Sequence, residues 1–256
     1  MFRFYTLIII SIPLVIYYIL LAEYYCNHED RYDENTRYKL VLRIINSIMR
    51  RGRIKTVVFD ADKLPKEGGY IMYSNHQGKF DALGIMEAHK TPCTVVVDGE
   101  KSKMLLFDQV VKLVHGKRLM RHDIRQQVKE LENLAREVSE GRRYIYFPEG
   151  GYDRNGNSLQ DFRAGAFKCA VKAQAPIVPV AICDSFLAFD FNSYRKVITQ
   201  ICFLDPIYYE EYKGKTTKEI SDMIKKLIEE KIAVLEENRV KNGFNKGFKV
   251  CRSTER

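Results

Sequence analysis

Residues 70–81 read Tyr70-Ile71-Met72-Tyr73-Ser74-Asn75-His76-Gln77-Gly78-Lys79-Phe80-Asp81, and the change of character inside this stretch decides the fold. Its first five residues are apolar or aromatic, ending in a serine, as in a short buried strand. The next seven bring an amide, an imidazole, a glycine and a carboxylate, as in a loop at a strand end. Outward from here, residues 54–59, 94–97, 144–147, 177–182 and 198–203 are further short runs rich in β-branched or aromatic residues. Between them, residues 123–139 and 162–173 carry apolar residues at helical spacing, and 216–238 is the clearest helix, opened by a Thr216-x-x-Glu219 capping box. Such alternation predicts an α/β domain over residues 54–240, with a mixed or largely parallel sheet flanked by helices and its sites at strand ends.

The composition agrees. A chain of 256 residues with 46% hydrophobic and 29% charged residues is an ordinary globular one and excludes disordered and collagen-like classes. A formal charge of +9 favours anionic partners: phosphorylated metabolites, acidic lipid surfaces or nucleic acid. The six cysteines are scattered with no C-x-x-C pair, which reads as reduced thiols in a reducing compartment. Walker A, G-x-S-x-G, H-E-x-x-H and G-x-G-x-x-G patterns are absent, which counts against P-loop NTPases, α/β-hydrolases, zincins and dinucleotide enzymes.

Residues 1–53 form a separate expected unit. Residues 4–22 are almost entirely apolar, close to the length of a bilayer span, and no small-x-small cleavage site precedes Glu23. Beyond the acidic linker Glu29-Asp30 to Asp33-Glu34, residues 37–55 carry seven basic and no acidic residues around Leu40, Val41, Ile44, Ile45, Ile48 and Met49. This reads as a basic amphipathic helix on an anionic bilayer surface, giving a membrane-docking element with the globular domain on the cytoplasmic face; the alternative is a surface helix of that domain with a solvated basic face. Residues 241–256 read as a loosely held basic tail.

Two constellations carry chemistry. In Asn75-His76-x4-Asp81 a turn over Gln77 and Gly78 can return the carboxylate to the imidazole, fixing its tautomer and strengthening it as a base. No Ser or Cys nucleophile is built beside it, so the base would act on a substrate hydroxyl. In Phe147-Pro148-Glu149-Gly150-Gly151 the proline stops a strand and the glycines let backbone amides approach an oxyanion or phosphate. Lys117, Arg118 and Arg121 upstream, Arg154, and Arg163 and Lys168 downstream could neutralise a phosphate, although each alone reads more readily as a solvated surface charge.

The ordered set Asn75-His76-x4-Asp81, a basic segment ending in Arg121, Phe147-Pro148-Glu149-Gly150, Phe162-Arg163-Ala164-Gly165-Ala166-Phe167-Lys168 and Val178-Pro179-Val180-Ala181 resembles the lysophosphatidate acyltransferase family over residues 54–206. The resemblance implies a glycerolipid acyltransferase fold and transfer of an acyl chain from acyl-CoA or acyl-carrier protein to the sn-2 hydroxyl of lysophosphatidate. It implies His76 as general base with Asp81 as its partner, and Asn75 beside them. Arg121, Glu149 and Gly150 would serve the acceptor, and Pro179 would lie toward the donor. No metal or cofactor is implied, and the N-terminal segments are similar to the family's two-helix docking element.

The third block departs from the family, which usually continues Thr-Arg-Ser after Glu-Gly. Here Gly151, Tyr152 and Asp153 follow, with an arginine only at Arg154. Arg154 reaching back, Arg163 and Lys168 sharing the charge, or a different acceptor would each account for this. A basic lipid- or nucleic-acid-binding protein would explain the charge but not the ordered motifs, and no helix-turn-helix, RNP or zinc signature points to nucleic acid. A hydrolase using His76 and Asp81 as metal ligands is the remaining rival.

Overall fold

The computed structural model describes residues 6, 9, 11–120, 122–153, 155–189 and 195–248. Seven strands form one sheet: β1 (Ile54–Phe59), β2 (Tyr70–Ser74), β3 (Thr94–Asp98), β4 (Lys117–Leu119), β5 (Arg143–Tyr146), β6 (Ile177–Cys183) and β7 (Val197–Phe203). Their spatial order is β1-β7-β6-β2-β5-β3-β4. Every neighbouring pair is parallel except β6 with β7, which is the mixed, largely parallel sheet expected. Central strands β2 and β6 are buried along their whole length, which is why they read as unbroken apolar runs rather than alternating ones. Strand β4 was not expected: three residues of a basic segment, Lys117-Arg118-Leu119, pair in register with Val96, Val97 and Asp98.

Helices cover both faces. On one side lie α1 (Ile12–Cys26), α2 (Glu34–Arg51), α3 (Asp81–His89) and α4 (Phe107–Leu113); on the other lie α5 (Ile124–Ser139), α6 (Lys168–Ala173), the single turn α7 (Tyr209–Tyr212) and α8 (Thr217–Lys241). Two caps expected or natural from the sequence are formed. Asp33 accepts from the Thr36 N–H at 2.9 Å, and Thr216 and Glu219 satisfy each other's backbone N–H as a capping box. Residues 162–173 are not one helix. Phe162 and Arg163 stay extended, Ala164–Phe167 form a 3-10 turn, and only Lys168–Ala173 is α-helical.

Helix α2 departs from its expected placement. Leu40, Val41, Ile44, Ile45 and Met49 are buried in the protein core with Tyr38, packed under α3, α4 and β1, so its apolar stripe is covered by protein and not by a bilayer. Burial of each such side chain stabilises the fold by about 1.5–3 kcal/mol, which makes this helix part of the catalytic layer. Arg37, counted among its surface cations, turns inward, donating from Nε to the Leu113 carbonyl at 3.2 Å and from a terminal nitrogen to the Tyr32 carbonyl at 3.2 Å. Helix α1 is the one with an open apolar face: Ile12, Ile16, Leu20 and Tyr24, spaced four apart, are 45–66% exposed. Among the described residues no helix is long and apolar enough to cross a membrane; residues 4, 5, 7, 8 and 10 of the apolar run lie outside them.

Candidate active site

Strands β2, β5 and β3 are parallel neighbours, so their carboxyl ends open on one edge of the sheet, where ligand sites of such folds form. Asn75 and His76 leave β2 there and Phe147 to Gly151 leave β5. The His76 Nδ1 lies 2.7 Å from Asp81 Oδ2. The same oxygen accepts from the backbone N–H groups of Gln77 at 2.5 Å and Gly78 at 2.9 Å. Asp81 is the first residue of α3 and only 1% exposed. Its charge is thus held by two amides and a helix N-terminus rather than by a cation. With Nδ1–H donated to Asp81, Nε2 keeps its lone pair and is the nitrogen available to a substrate.

The imidazole is gripped on two sides. Phe147 stacks on it at 4.4 Å and 22°, and Tyr152 meets it edge-on at 4.8 Å and 73°. Behind it, Glu149 Oε1 accepts from the His76 N–H at 3.0 Å and Oε2 from the Gln160 N–H at 3.3 Å. Burial pushes the Glu149 carboxyl up to about 7 against the lowering effect of those two bonds. His76 opens on a cavity of about 990 Å³ that also reaches Leu83, Val97, Phe107, Leu131, Arg163 and Lys168. An apolar cavity of this size with a few converging polar groups suits a ligand with a long hydrocarbon part.

The family model for acyltransferases matches residues 55–183, just over half of the chain, and takes in every group of this site. The chain belongs to the acyltransferase family. It is similar to the 1-acyl-sn-glycerol-3-phosphate acyltransferase of Haemophilus influenzae, 31% identical over 176 residues that span 67% of this chain and 71% of that protein. It is also similar to the enzyme of that name from Escherichia coli, 26% identical over 172 residues, 66% of this chain and 69% of the other. The crystal structure of the 1-acyl-sn-glycerophosphate (LPA) acyltransferase PlsC from Thermotoga maritima superposes with a TM-score of 0.64 at 18% identity, covering 89% of this chain and 97% of that one. That likeness shows a shared fold.

Within this acyltransferase, His76, Gly150, Gly151, Arg163 and Lys168 of the expected residues line the cavity, and Asp81 touches it through His76. Gly150 sits at φ +71°, and a Cβ there would come within 2.8 Å of the Arg163 guanidinium, which lies over it. Other expected residues lie away from the cavity wall. Asn75 is 2% exposed and locks two strands together, donating to the Ile182 carbonyl at 3.0 Å and accepting from its N–H at 2.8 Å. Pro179 lies inside the sheet opposite Tyr73, away from the cavity wall. Lys117 points to Glu137 at 2.5 Å, where Arg142 and Tyr144 also converge at 2.6 and 2.5 Å. Burial alone would raise the Glu137 carboxyl; the three donors outweigh it and hold it down at about 2. Arg118 likewise binds Asp108 at 2.7 Å. Arg121 and Arg154 lie outside the described residues.

Sequence reading missed what supports the His76 loop from behind. The Gln77 side chain donates to the Ile182 carbonyl and to Asn157 Oδ1, both at 2.9 Å, and accepts from the Ser185 N–H at 2.9 Å. Asn157 also accepts from the Asp184 N–H at 2.8 Å and donates to Asp184 Oδ1 at 3.1 Å. Asp184, fully buried, pairs with Arg239 of α8 at 2.9 Å. These partners are separated by 27 to 108 residues, so no local pattern signals them. Among the described residues no three His, Cys, Asp or Glu side chains gather as a metal would require.

Proposed function

We propose that this acyltransferase moves an acyl chain from a thioester, acyl-CoA or acyl-carrier protein, to the sn-2 hydroxyl of lysophosphatidate, giving phosphatidate. The observation that carries the reading is the His76–Asp81 pair at 2.7 Å opening on the large cavity. His76 Nε2 takes the proton of the acceptor hydroxyl as its oxygen attacks the thioester carbonyl. The tetrahedral intermediate then expels the thiolate, which receives that proton from the imidazolium, so proton and acyl group both balance. Asp81 stabilises the imidazolium while it exists. General-base help of this kind contributes roughly 10² to 10⁴ in rate, and orientation of the two substrates supplies much of the rest. The names of the similar enzymes support lysophosphatidate as acceptor, and Arg163 and Lys168 on the cavity wall offer cations for its phosphate.

In the same reading α1 holds the enzyme to the cytoplasmic face of a membrane, α2 braces the catalytic layer and residues 54–240 carry catalysis; of the expected tail, Asn245 is tied to the domain, donating to Asp184 Oδ2 and to the Ile198 carbonyl, both at 2.8 Å. The exposed apolar face of α1 supports membrane contact. A second reading, another lysophospholipid or hydroxyl acceptor, is favoured by Tyr152, whose ring stands against His76 where the family pattern has an arginine. The test is thiol release from acyl-CoA or acyl-carrier protein across lysophosphatidate and neutral or zwitterionic acceptors. Release that depends on lysophosphatidate is expected; release confined to a phosphate-free acceptor would establish the second reading.

A further inference from the structure

A second hollow lies in the seam between α1 and α2, separate from the groups that grip His76. Its volume is about 540 Å³, and three guanidiniums, Arg43, Arg50 and Arg51, stand around it with Asn46. Arg43, Asn46 and Arg50 follow each other along one face of α2, and all three are exposed. Among the described residues neither Arg43 nor Arg50 has a carboxylate partner, and Arg51 has only a contact to Ser11 Oγ at 3.4 Å. Three like charges gathered without a counter-charge repel one another. The C-terminal end of α2, where Arg50 and Arg51 sit, offsets only part of that.

Two further observations give the hollow a context. Leu14, Tyr18, Ser47 and Arg51 line both this hollow and the catalytic cavity, so the two share a wall. From α1 the hollow takes Leu14 and Tyr18 as an apolar wall, while Ile12, Ile16 and Leu20 are exposed on the opposite face of that helix. A ligand that fits needs a doubly charged anionic head for the guanidinium forks and a hydrocarbon part for Leu14 and Tyr18 on the wall shared with the catalytic cavity.

We infer that the hollow binds the phosphate monoester head of a membrane glycerolipid, as a station at the mouth of the catalytic cavity. This rests on the reading that the enzyme works on phosphate-bearing lipids. The three forks engage the free oxygens of a monoester, which a diester head offers fewer of. Shared residues then let acceptor or product pass between station and cavity without returning to water.

The test uses the full chain and phosphatidylcholine vesicles doped with either phosphatidate or phosphatidylserine to equal zeta potential, so that diffuse attraction is matched. Wild type is expected to bind the phosphatidate vesicles at least about fivefold more tightly, the effect of roughly one well-placed charge contact. Arg43→Gln with Arg50→Gln should lose that preference and bind both vesicle types more weakly, by about 30-fold for two lost charges. Arg43→Lys with Arg50→Lys keeps the charge without the forks and should lose the preference while retaining most of the general binding. Equal binding of both vesicle types by wild type, or a preference that survives in Arg43→Gln with Arg50→Gln, would overturn the site. Abolition of the preference by 1 mM inorganic phosphate, a concentration on the order of weak anion binding, would make the occupant a free anion and overturn the lipid assignment. Thiol release from acyl-CoA on adding lysophosphatidate is measured on the same wild-type preparation. Release without the preference overturns this site and leaves the proposed reaction standing; preference without release does the reverse.

Discussion

The backbone N–H of His76 donates to Glu149 Oε1 at 3.0 Å, so a carboxylate at the end of β5 holds the base at the end of β2 in place from behind. Glu149 is 5% exposed and is not on the cavity wall. Its contact is with the His76 backbone and not with the cavity.

That position makes Glu149 a source of pH-dependent stability. Its folded pKa, about 7, lies above the ordinary carboxylate value, so the folded state binds a proton the unfolded chain has already released. Stability from this group is therefore present below pH 4.5 and lost as pH rises toward 7. Glu149→Gln removes the titration and leaves an amide that accepts one of the two N–H bonds while opposing the other, at a cost of about 1 kcal/mol. The Tm of wild type minus that of Glu149→Gln should fall as pH rises from 5 to 8. A difference that stays flat across that range would show that Glu149 is ionised throughout.

Asp81→Asn tests the tautomer argument. An amide oxygen in the place of Oδ2 can still accept from Nδ1 and from the Gln77 and Gly78 N–H groups, yet the charge that stabilises the imidazolium is gone. Turnover should drop by about 10² while the donor KM changes little. A drop no larger than twofold, measured by thiol release, would remove Asp81 from catalysis.

Glu137 anchors Lys117, Arg142 and Tyr144, so Glu137→Gln should strand Lys117 in a partly buried place, leave Arg142 to Glu34 and the Val114 carbonyl, and destabilise the fold by about 2 kcal/mol. The depressed carboxyl gives the opposite pH sign to Glu149. Its contribution is complete above pH 4.5 and is lost as pH falls through about 2. Urea melts at pH 7 and pH 2.5 should show the variant's deficit shrinking at the lower pH, and a deficit of equal size at both would contradict the ion-pair account.

Gly150→Ala places a Cβ against the Arg163 guanidinium in a backbone region that costs an ordinary residue about 1 kcal/mol. Displacing Arg163 should raise the KM for a phosphate-bearing acceptor more than that for the acyl donor. Equal changes in both constants would separate Arg163 from the acceptor.

What the sequence reveals and what it hides follow from the same physics. Strands β2 and β6 show because both faces are buried and the apolar run is unbroken. Strand β4 is hidden because three residues headed by two cations earn their pairing from β3, not from their own pattern. His76 and Asp81 stand five residues apart and are legible together. Glu149, Asn75 and Pro179 lie in recognisable motifs, yet only the folded chain shows that the first positions His76 and the other two tie strands. The stripe of α2 was legible as amphipathic, and periodicity cannot distinguish a protein partner from a bilayer. Residues 54–206 were read from motifs of one family, while the Gln77–Asn157–Asp184–Arg239 connection behind the base needs the third dimension.

Because no Ser, Thr or Cys side chain among the described residues bonds to His76, the reaction should pass through a complex of both substrates. Intact mass of the protein after adding acyl-CoA alone should stay unchanged. An added acyl mass that disappears when lysophosphatidate follows would require a covalent intermediate.

The central claim is that His76 is the general base, and the most direct measurement is turnover of His76→Ala by thiol release at saturating acyl-CoA and lysophosphatidate. The ring is 20% exposed and Asp81 keeps its two backbone partners without it, so the variant should fold with a Tm close to that of wild type. The account expects turnover to fall by at least about 10², with substrate binding retained. A folded variant that kept more than about a tenth of wild-type turnover, well short of the loss a general base commands, would contradict it.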